Sequence, residues 1–135
     1  MSDARYLLDT NIISDLMRNR TGTCAARLAD VGSENVCTSV IVACELRYGV
    51  ARKKSVELSR RLQAVLGAIE VLALDTPADI AYGQLRAKLE REGTPVGAND
   101  LLIAAHALAI GATLVSDNDK EFVRITGLRV ENWLR

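Results

Sequence analysis

The sequence predicts an α/β fold, in which helices cover both faces of a mainly parallel central sheet. Short apolar runs typical of strands alternate with longer helical patterns, an alternation that indicates parallel strands joined by helical crossovers. Residues 100–110 are apolar almost all round, as expected of a helix packed inside such a domain. The length of 135 residues suits one domain, and we assign residues 1–135 to it.

The predicted elements follow one another without an internal repeat or a low-complexity linker. Strands are expected at residues 5–8, 36–38, 69–74 and 112–116, with a last edge strand in the tail LRVENW. Helices are expected at 11–18, from the cap Ser39 to Gly49, at 55–66 before Gly67, from Thr76-Pro77 to Gly93, and at 100–110 before Gly111.

Charge and composition narrow the classes of function. The 17 Lys and Arg residues balance the 17 Asp and Glu residues, so no global basic field indicates a nucleic-acid partner, although local patches remain open. One His and three Cys residues without a Cys-x-x-Cys motif argue against a zinc site. We expect Cys24, Cys37 and Cys44 to be reduced and buried as small hydrophobic residues.

Neither a membrane span nor a secretory leader is expected. No apolar run reaches the ~18 residues that a membrane-spanning helix needs. A strand pattern begins within the first few residues, where a secretory leader would lie. We therefore expect a cytoplasmic protein that makes no membrane contact.

Four acidic residues stand where this fold places ligand sites. Asp9 ends the first strand in YLLDTN, and Asp117 ends the strand in TLVSD. Glu45 lies in the otherwise apolar helical stretch VIVACEL, and Asp100 begins the apolar helix. Because parallel strands end at a common edge, where ligands bind near a switch in strand order, we expect Asp9 and Asp117 to share one rim.

Each acid also has a purely structural explanation. Asp9 is suited to capping a helix, Asp100 to complementing a helix dipole, and Asp117 to a turn. Glu45 is harder to explain, because a carboxylate buried without a partner is costly. Carboxylates at one rim repel one another unless their pKa values rise or a cation lies among them. Oxygen ligands favour Mg²⁺, with Mn²⁺ possible, and such an ion suits phosphodiester hydrolysis.

The chain resembles a known family along nearly its whole length, from Tyr6 to Leu134. The resemblance rests on the stretches YLLDTNIIS, SVIVACELRYG, GTPVGANDLLIAAHALAIGATLVSDNDKEF and LRVENWL. Together they are similar to PIN-domain ribonucleases, and within these to the VapC toxins of toxin–antitoxin pairs close to FitB. The resemblance implies a PIN-like three-layer α/β/α sandwich and an Mg²⁺-dependent endoribonuclease that cuts structured RNA such as tRNA or rRNA. It also implies a homodimer that a small VapB-like antitoxin neutralises.

The resemblance also assigns roles to single residues. Asp9, Glu45 and Asp100 match the first three acids of the family, which makes Asp9 and Asp100 the main metal ligands. The fourth acid stays open, because Asn118 stands where many members of the family have Asp. We favour Asp117 on its position alone. Asp119 and Glu121 are the alternatives, and the Ser116 hydroxyl stands where the family usually has Thr.

RNA contacts are predicted from local features. Asn11 is placed to hydrogen-bond a ligating carboxylate or the scissile phosphate. A basic patch suited to phosphate contacts contains one acid, Glu57, and consists of Arg47, Arg52, Lys53, Lys54, Arg60 and Arg61. An ordinary solvated helix face is the alternative for this patch. For an antitoxin we expect a groove beside the helices at 11–18 and 55–66, and for His106 a structural role in the core.

Two other interpretations compete with a nuclease. A receiver or phosphatase domain also has an acidic Mg²⁺ pocket, but a receiver needs paired acids near its N-terminus. A phosphatase of the Asp-x-Asp type needs an acid where the chain has Asn11, so both are disfavoured. The second interpretation is a catalytically silent PIN-fold module that binds a partner and uses its acids to hold a structural ion.

Overall fold

The central sheet has five strands in the order β3-β2-β1-β4-β5, and every neighbouring pair is parallel. The computed structural model describes residues 5–135. The strands are β1 (Tyr6–Leu8), β2 (Val36–Ser39), β3 (Glu70–Leu72), β4 (Thr113–Val115) and β5 (Val130–Glu131). The tail therefore forms an edge strand, as the sequence predicts.

Seven α-helices accompany this sheet within residues 5–135. They are α1 (Thr10–Arg18), α2 (Thr23–Val31), α3 (Val40–Lys53), α4 (Val56–Ala68), α5 (Ala78–Arg91), α6 (Ala98–Ile110) and α7 (Asp119–Phe122). All residues of β2 and β4 are buried, because helices cover both faces of the sheet. The prediction of an α/β/α sandwich with a parallel sheet is confirmed.

Helix α6 is the most deeply buried helix of the described chain, and its composition explains why. Ile103, Ala104, Ala105 and Ala107 are fully buried, and the small alanine side chains allow close packing. His106 on the same helix is buried, and its Nδ1 lies 2.8 Å from the Ser39 hydroxyl at the end of β2. Its predicted structural role is confirmed.

Some predicted helix ends are wrong. Helix α3 continues through Gly49 to Lys53 and ends at Lys54, which adopts a left-handed φ of 52°. A glycine inside a helix costs only about 1 kcal/mol, so it does not end a helix that tertiary packing supports. Helix α5 begins at Ala78 after Pro77 and ends at Arg91, and Thr76 instead donates its N–H to the Asp75 carboxylate.

Two helices were not predicted, and one begins early. Helix α2 buries Cys24 and packs the half-buried Leu28 and Val31 against the core, so it does have an apolar stripe at helical spacing, which the sequence analysis missed. Helix α7 has four residues, which is shorter than any period test requires. Helix α6 begins at Ala98, two residues before Asp100, and ends as predicted at Gly111, whose φ of 71° favours glycine.

The three cysteines divide into two kinds. Cys24 and Cys37 are buried as predicted, and burial is the main cause that raises their thiol pKa values to about 12 and about 11. Cys44 is exposed on α3, so the prediction that it is buried was wrong. The helical period turns the Cys44 side chain away from the core, although its sequence neighbours are apolar.

Strand register positions the candidate site. Leu8 lies opposite Thr38 on one side and Val115 on the other, so the three central strands end within one residue of one another. The residues that follow these strand ends therefore meet at the carboxyl edge of the sheet. Within residues 5–135, no helix is long and apolar enough to cross a membrane.

Candidate active site

An open cavity of about 460 Å³ lies at the carboxyl edge of the sheet. Its lining comes from the end of β1, the start of α1, the middle of α3, the first turn of α6 and the loop after β4. The lining residues are Asp9, Thr10, Asn11, Glu45, Asp100, Asp117 and Asn118. All four acids of the predicted site therefore meet in one cavity, although up to 108 positions separate them in the chain.

Asp9 is the most buried of these acids, with 3% of its surface exposed. It caps α1, because its Oδ1 accepts a hydrogen bond of 2.8 Å from the Thr10 N–H. Its Oδ2 accepts a second hydrogen bond of 2.7 Å from the Ser116 hydroxyl. Burial raises the Asp9 pKa above its usual range, and the nearby Glu45 charge adds to the rise. Asp9 is thus both a helix cap and a member of the acidic cluster.

Glu45 reaches the cavity from α3 and is held by two side chains. The Thr10 hydroxyl donates to Glu45 Oε1 at 2.5 Å, and the Asn99 amide donates to Oε2 at 3.2 Å. These hydrogen bonds hold a half-buried carboxylate that would otherwise be costly. Thr10 also connects two acids, because its backbone N–H binds Asp9 and its hydroxyl binds Glu45.

Asp100 lies in the first turn of α6, where its carboxylate complements the helix dipole. The Asn118 amide donates to Asp100 Oδ2 at 3.2 Å. Burial, and then the charges of Asp9, Glu121 and Glu45, raise the Asp100 pKa to about 6. Burial and the charges of nearby carboxylates thus act together on Asp100, an arrangement typical of a functional acidic site.

The candidates for the fourth acid have different surroundings. The exposed Asp117 lines the cavity, and its Oδ1 accepts a hydrogen bond of 3.0 Å from Asn132 and lies 3.6 Å from the Arg135 guanidinium. Asp119 contacts the same two residues, at 3.2 Å from Asn132 and 3.3 Å from Arg135. Glu121 on α7 is half-buried, and its buried Oε1 has no hydrogen-bond partner within residues 5–135.

The donor chemistry of the cavity fits a hard divalent cation. Within residues 5–135, no three His, Cys, Asp or Glu side chains already stand together as a complete ligand set. The carboxylates of Asp9, Glu45 and Asp100 instead accept hydrogen bonds from neutral side chains, and within the described part of the chain none of the three forms an ion pair. Their unopposed charges suit oxygen-seeking ions such as Mg²⁺ or Mn²⁺.

The predicted RNA-binding residues fall into two groups. Asn11 lines the acidic cavity, and its Oδ1 accepts a hydrogen bond of 3.0 Å from the Asp117 N–H. Lys53 lines an adjoining groove of about 220 Å³, which shares Thr10 and Glu45 with the acidic cavity. Arg47 and Arg52 line neither space. The Arg47 guanidinium lies 3.4 Å from the Gln63 Oε1, and the Arg52 guanidinium lies 5.7 Å from the centre of the Tyr48 ring.

Two residues of the site were not predicted. Asn99 precedes Asp100 and binds Glu45, and Asn132 follows β5 and binds Asp117 and Asp119. The sequence could have predicted Asn132, because it is a polar residue at the carboxyl end of a strand, as Asp9 is. Nothing in the sequence indicated Asn99 except its position next to Asp100.

Comparison with known proteins agrees with this fold and site. The PIN domain family matches residues 6–128. Ribonuclease VapC2 of Rickettsia felis is 40% identical over 130 residues, which cover 95% of this chain and 97% of that protein. The tRNA(fMet)-specific endonuclease VapC of Salmonella typhimurium is 41% identical over 132 residues, which cover 96% of this chain and 98% of that protein.

Solved structures of toxin–antitoxin complexes contain the same fold. The VapBC2 complex of Rickettsia felis bound to promoter DNA matches with a TM-score of 0.89 and 38% identity, over 95% of this chain and 98% of that one. FitAcB of Neisseria gonorrhoeae matches with a TM-score of 0.82 and 32% identity, over 95% and 97% of the two chains.

The fold, the acidic cavity and these matches define the class of the protein: the chain belongs to the PIN-domain family. The predicted resemblance to the VapC ribonucleases of toxin–antitoxin pairs, and with it the prediction of a nuclease, is confirmed.

Proposed function

We propose that this chain is a Mg²⁺- or Mn²⁺-dependent endoribonuclease toxin that hydrolyses phosphodiester bonds in structured RNA. The observation that carries the proposal is the meeting of Asp9, Glu45 and Asp100 in one open cavity. Within the described residues, no cationic side chain is paired with any of the three. A cavity that concentrates negative charge in this way repels a phosphate unless a cation is bound there.

The residues of the cavity have distinct roles in this proposal. Asp9 and Asp100 hold the cation, and Glu45 completes the acidic set. Ser116 and Thr10 orient the carboxylates by hydrogen bonds, and Asn11 is available to the phosphate. A divalent ion bound there supplies a Lewis acid that stabilises negative charge on the phosphate oxygens and lowers the pKa of water. The proposal gives no part to an imidazole, because His106, the one histidine of the sequence, is buried against Ser39 and does not line the cavity.

Substitutions of Glu121 and Asp117 test which of these two residues is the fourth acid of the site. We expect Glu121→Gln to weaken Mn²⁺ binding by about tenfold, because Glu121 is the closer electrostatic partner of Asp100 and such neighbours typically tune affinity by 10–100-fold. Asp117→Asn removes a carboxylate already paired with Arg135, and we expect a smaller loss. Calorimetric titration of both variants with Mn²⁺ measures the difference. A larger loss in Asp117→Asn would instead assign the role to Asp117.

The groove beside the acidic cavity supports an antitoxin-binding role. It lies among α1, α3 and α4, its walls contain the apolar side chains Met17, Leu46 and Leu58, and it reaches the acids through Glu45. We propose that an antitoxin places an apolar segment in this groove and presents a basic side chain to the carboxylates. This groove lies beside both of the helices, at 11–18 and 55–66, from which an antitoxin groove is predicted.

RNA is proposed to approach the acidic cavity from the side of the adjoining groove, where basic residues lie. Lys53 and Arg18 line the adjoining groove, and within the described residues neither forms an ion pair. The exposed Arg47 and Arg52 on α3 extend this basic surface. A chain that recognises phosphates and overall RNA shape needs few aromatic residues, in agreement with an aromatic content of 4%. The relative from Salmonella typhimurium is named for tRNA(fMet), and we propose tRNA or rRNA as the substrate class here.

We also propose a cytoplasmic homodimer. Val40 and Tyr48 on α3 are 37% and 64% exposed, and the exposed Cys44 lies midway between them. A spacing of four residues places all three on one helix face. An exposed apolar stripe of this kind is typical of a surface that a second copy of the chain covers.

Removal of the divalent ion tests the proposed function directly. Purified protein incubated with total RNA and Mg²⁺ is expected to produce discrete cuts, and EDTA in excess of Mg²⁺ is expected to abolish them. The physical reason is that carboxylates alone stabilise no charge on the phosphate. Primer-extension mapping of the RNA ends measures both outcomes.

The same experiment separates the proposal from its alternative. Intact RNA with Mg²⁺ and with Mn²⁺ would favour a catalytically silent module that binds a partner and holds a structural ion. Cutting that continues in EDTA would contradict the requirement for a divalent ion.

A further inference from the structure

We infer that Asn132 is a positioning residue, which holds the loop after β4 so that the Asn118 amide faces Asp100. Asn132 does not line the acidic cavity and follows the edge strand β5 at the C-terminal end of the chain. The inference rests on the proposed metal site and adds to it a residue that connects the C-terminal segment with the acids.

The Asn132 side chain is fixed by three hydrogen bonds. Its Nδ2 donates to Asp117 Oδ1 at 3.0 Å and to Asp119 Oδ1 at 3.2 Å. Its Oδ1 accepts a hydrogen bond of 2.9 Å from the Leu134 N–H. One amide group therefore bridges two carboxylates of like charge, which would otherwise separate because they repel each other. Arg135 lies beside the same two carboxylates but is itself 57% exposed.

The position of Asn132 is fixed by the sheet and by its neighbour. The Ser116 N–H donates to the Glu131 carbonyl at 2.9 Å, which holds β5 level with the end of β4. Trp133 is 2% exposed, its Nε1 donates to Glu131 Oε1 at 3.0 Å, and its ring centre lies 5.5 Å from that of Tyr6. The paired strand β5 and the buried Trp133 therefore hold Asn132 in place on both sides, which a residue that positions a loop requires.

The loop held by Asn132 leads directly to the acidic site. Asn118 lies between Asp117 and Asp119, its N–H donates to the Ser116 hydroxyl at 2.9 Å, and its amide donates to Asp100 at 3.2 Å. Helix α7 begins at Asp119, directly after Asn118. Separation of Asp117 from Asp119 would therefore move Asn118, whose amide contacts Asp100.

The test compares Asn132→Ala with the matched control Asn35→Ala. Asn35 also uses its Nδ2 in a hydrogen bond, of 2.7 Å to the Val31 carbonyl. It precedes β2 and therefore lies at the amino ends of the strands, opposite the carboxyl ends where the acidic cavity lies. Each variant loses only the hydrogen bonds of one side-chain amide, so both chains are expected to fold. Mn²⁺ affinity of the RNA-free protein, measured by electron paramagnetic resonance of free Mn²⁺, is the first readout.

We expect Asn132→Ala to bind Mn²⁺ at least about tenfold more weakly, the range typical of residues that orient metal ligands, and Asn35→Ala to bind as the unaltered chain does. The second variant, Asn132→Ala with Asp119→Asn, neutralises one of the two repelling carboxylates and supplies a new amide beside Asp117. We expect this variant to recover most of the lost affinity, although it carries one negative charge fewer.

Three outcomes would overturn the inference: unchanged Mn²⁺ binding in Asn132→Ala, an equal loss in Asn35→Ala, or no recovery in the double variant. Amide NMR spectra of the metal-free protein provide a readout that is independent of the metal. The resonances of Asn118 and Glu121 are expected to shift in Asn132→Ala and to stay unchanged in Asn35→Ala. A chain that binds no Mn²⁺ but has these shifts would contradict the proposed function and not the positioning role.

Discussion

Asp9→Asn and Asp100→Asn are each expected to lower Mg²⁺-dependent RNA cleavage by about a thousandfold, which corresponds to about 4 kcal/mol of transition-state stabilisation. Both substitutions keep the size of the side chain and remove a charge from the cavity. Asparagine at position 9 can still accept the hydrogen bond from Thr10 and cap α1, so the helix is expected to persist. The loss therefore measures metal binding and not folding. Initial rates on a purified RNA fragment, with Mg²⁺ varied, measure the effect.

The control for this prediction is Asp30→Asn, on the exposed part of α2 and outside the acidic cavity. It changes the net charge by the same amount, so a general effect of charge on RNA binding would appear in it as well. Cleavage that persists in Asp9→Asn and Asp100→Asn at the rate of Asp30→Asn would indicate a contaminating nuclease or a different active site.

The fold was predictable where a local pattern determines an element. Apolar runs located all five strands, and the buried helix α6 was recognisable from residues that are apolar on every side. Boundaries failed where tertiary packing decides them, as at Gly49, which lies in the interior of α3. Helix α2 was missed although Cys24, Leu28 and Val31 recur at helical spacing, so its apolar face was present in the sequence.

The site was predictable in its acids and not in the groups that orient them. A carboxylate that follows a parallel strand lies at the carboxyl edge of the sheet, so Asp9 and Asp117 were expected to share a rim. Glu45 was noticeable because its neighbours are apolar. The hydrogen bond from Asn99 to Glu45 depends on how α6 packs against α3, which no pattern within either helix specifies. The strand order, which places β5 and hence Asn132 beside the loop after β4, is equally non-local.

The buried, mutually repelling carboxylates of the acidic cavity are expected to destabilise the metal-free fold at neutral pH. Asp100→Asn removes one of these charges and is expected to make the fold more stable. The Asp100 pKa is about 6 in the folded chain against 3.8 as its ordinary value, so the folded state holds a proton that the unfolded state has already released. The free energy of unfolding therefore decreases as pH rises from about 4 to about 6, and the loss is complete above that window. A shift of this size corresponds to about 3 kcal/mol, which partial exposure reduces to about 2 kcal/mol.

In EDTA, Asp100→Asn is therefore expected to be more stable than the unaltered chain by about 2 kcal/mol at pH 7.5, and about equally stable at pH 4. Urea unfolding at the two pH values measures both differences, and Asp30→Asn is the charge-matched control. Added Mn²⁺ is expected to reverse the order at pH 7.5, because an ion that binds only the folded state stabilises the chain that retains its ligands. A variant that is less stable than the unaltered chain in EDTA at pH 7.5 would contradict the argument, since the Asp100 carboxylate would then be stabilised by the fold rather than strained in it.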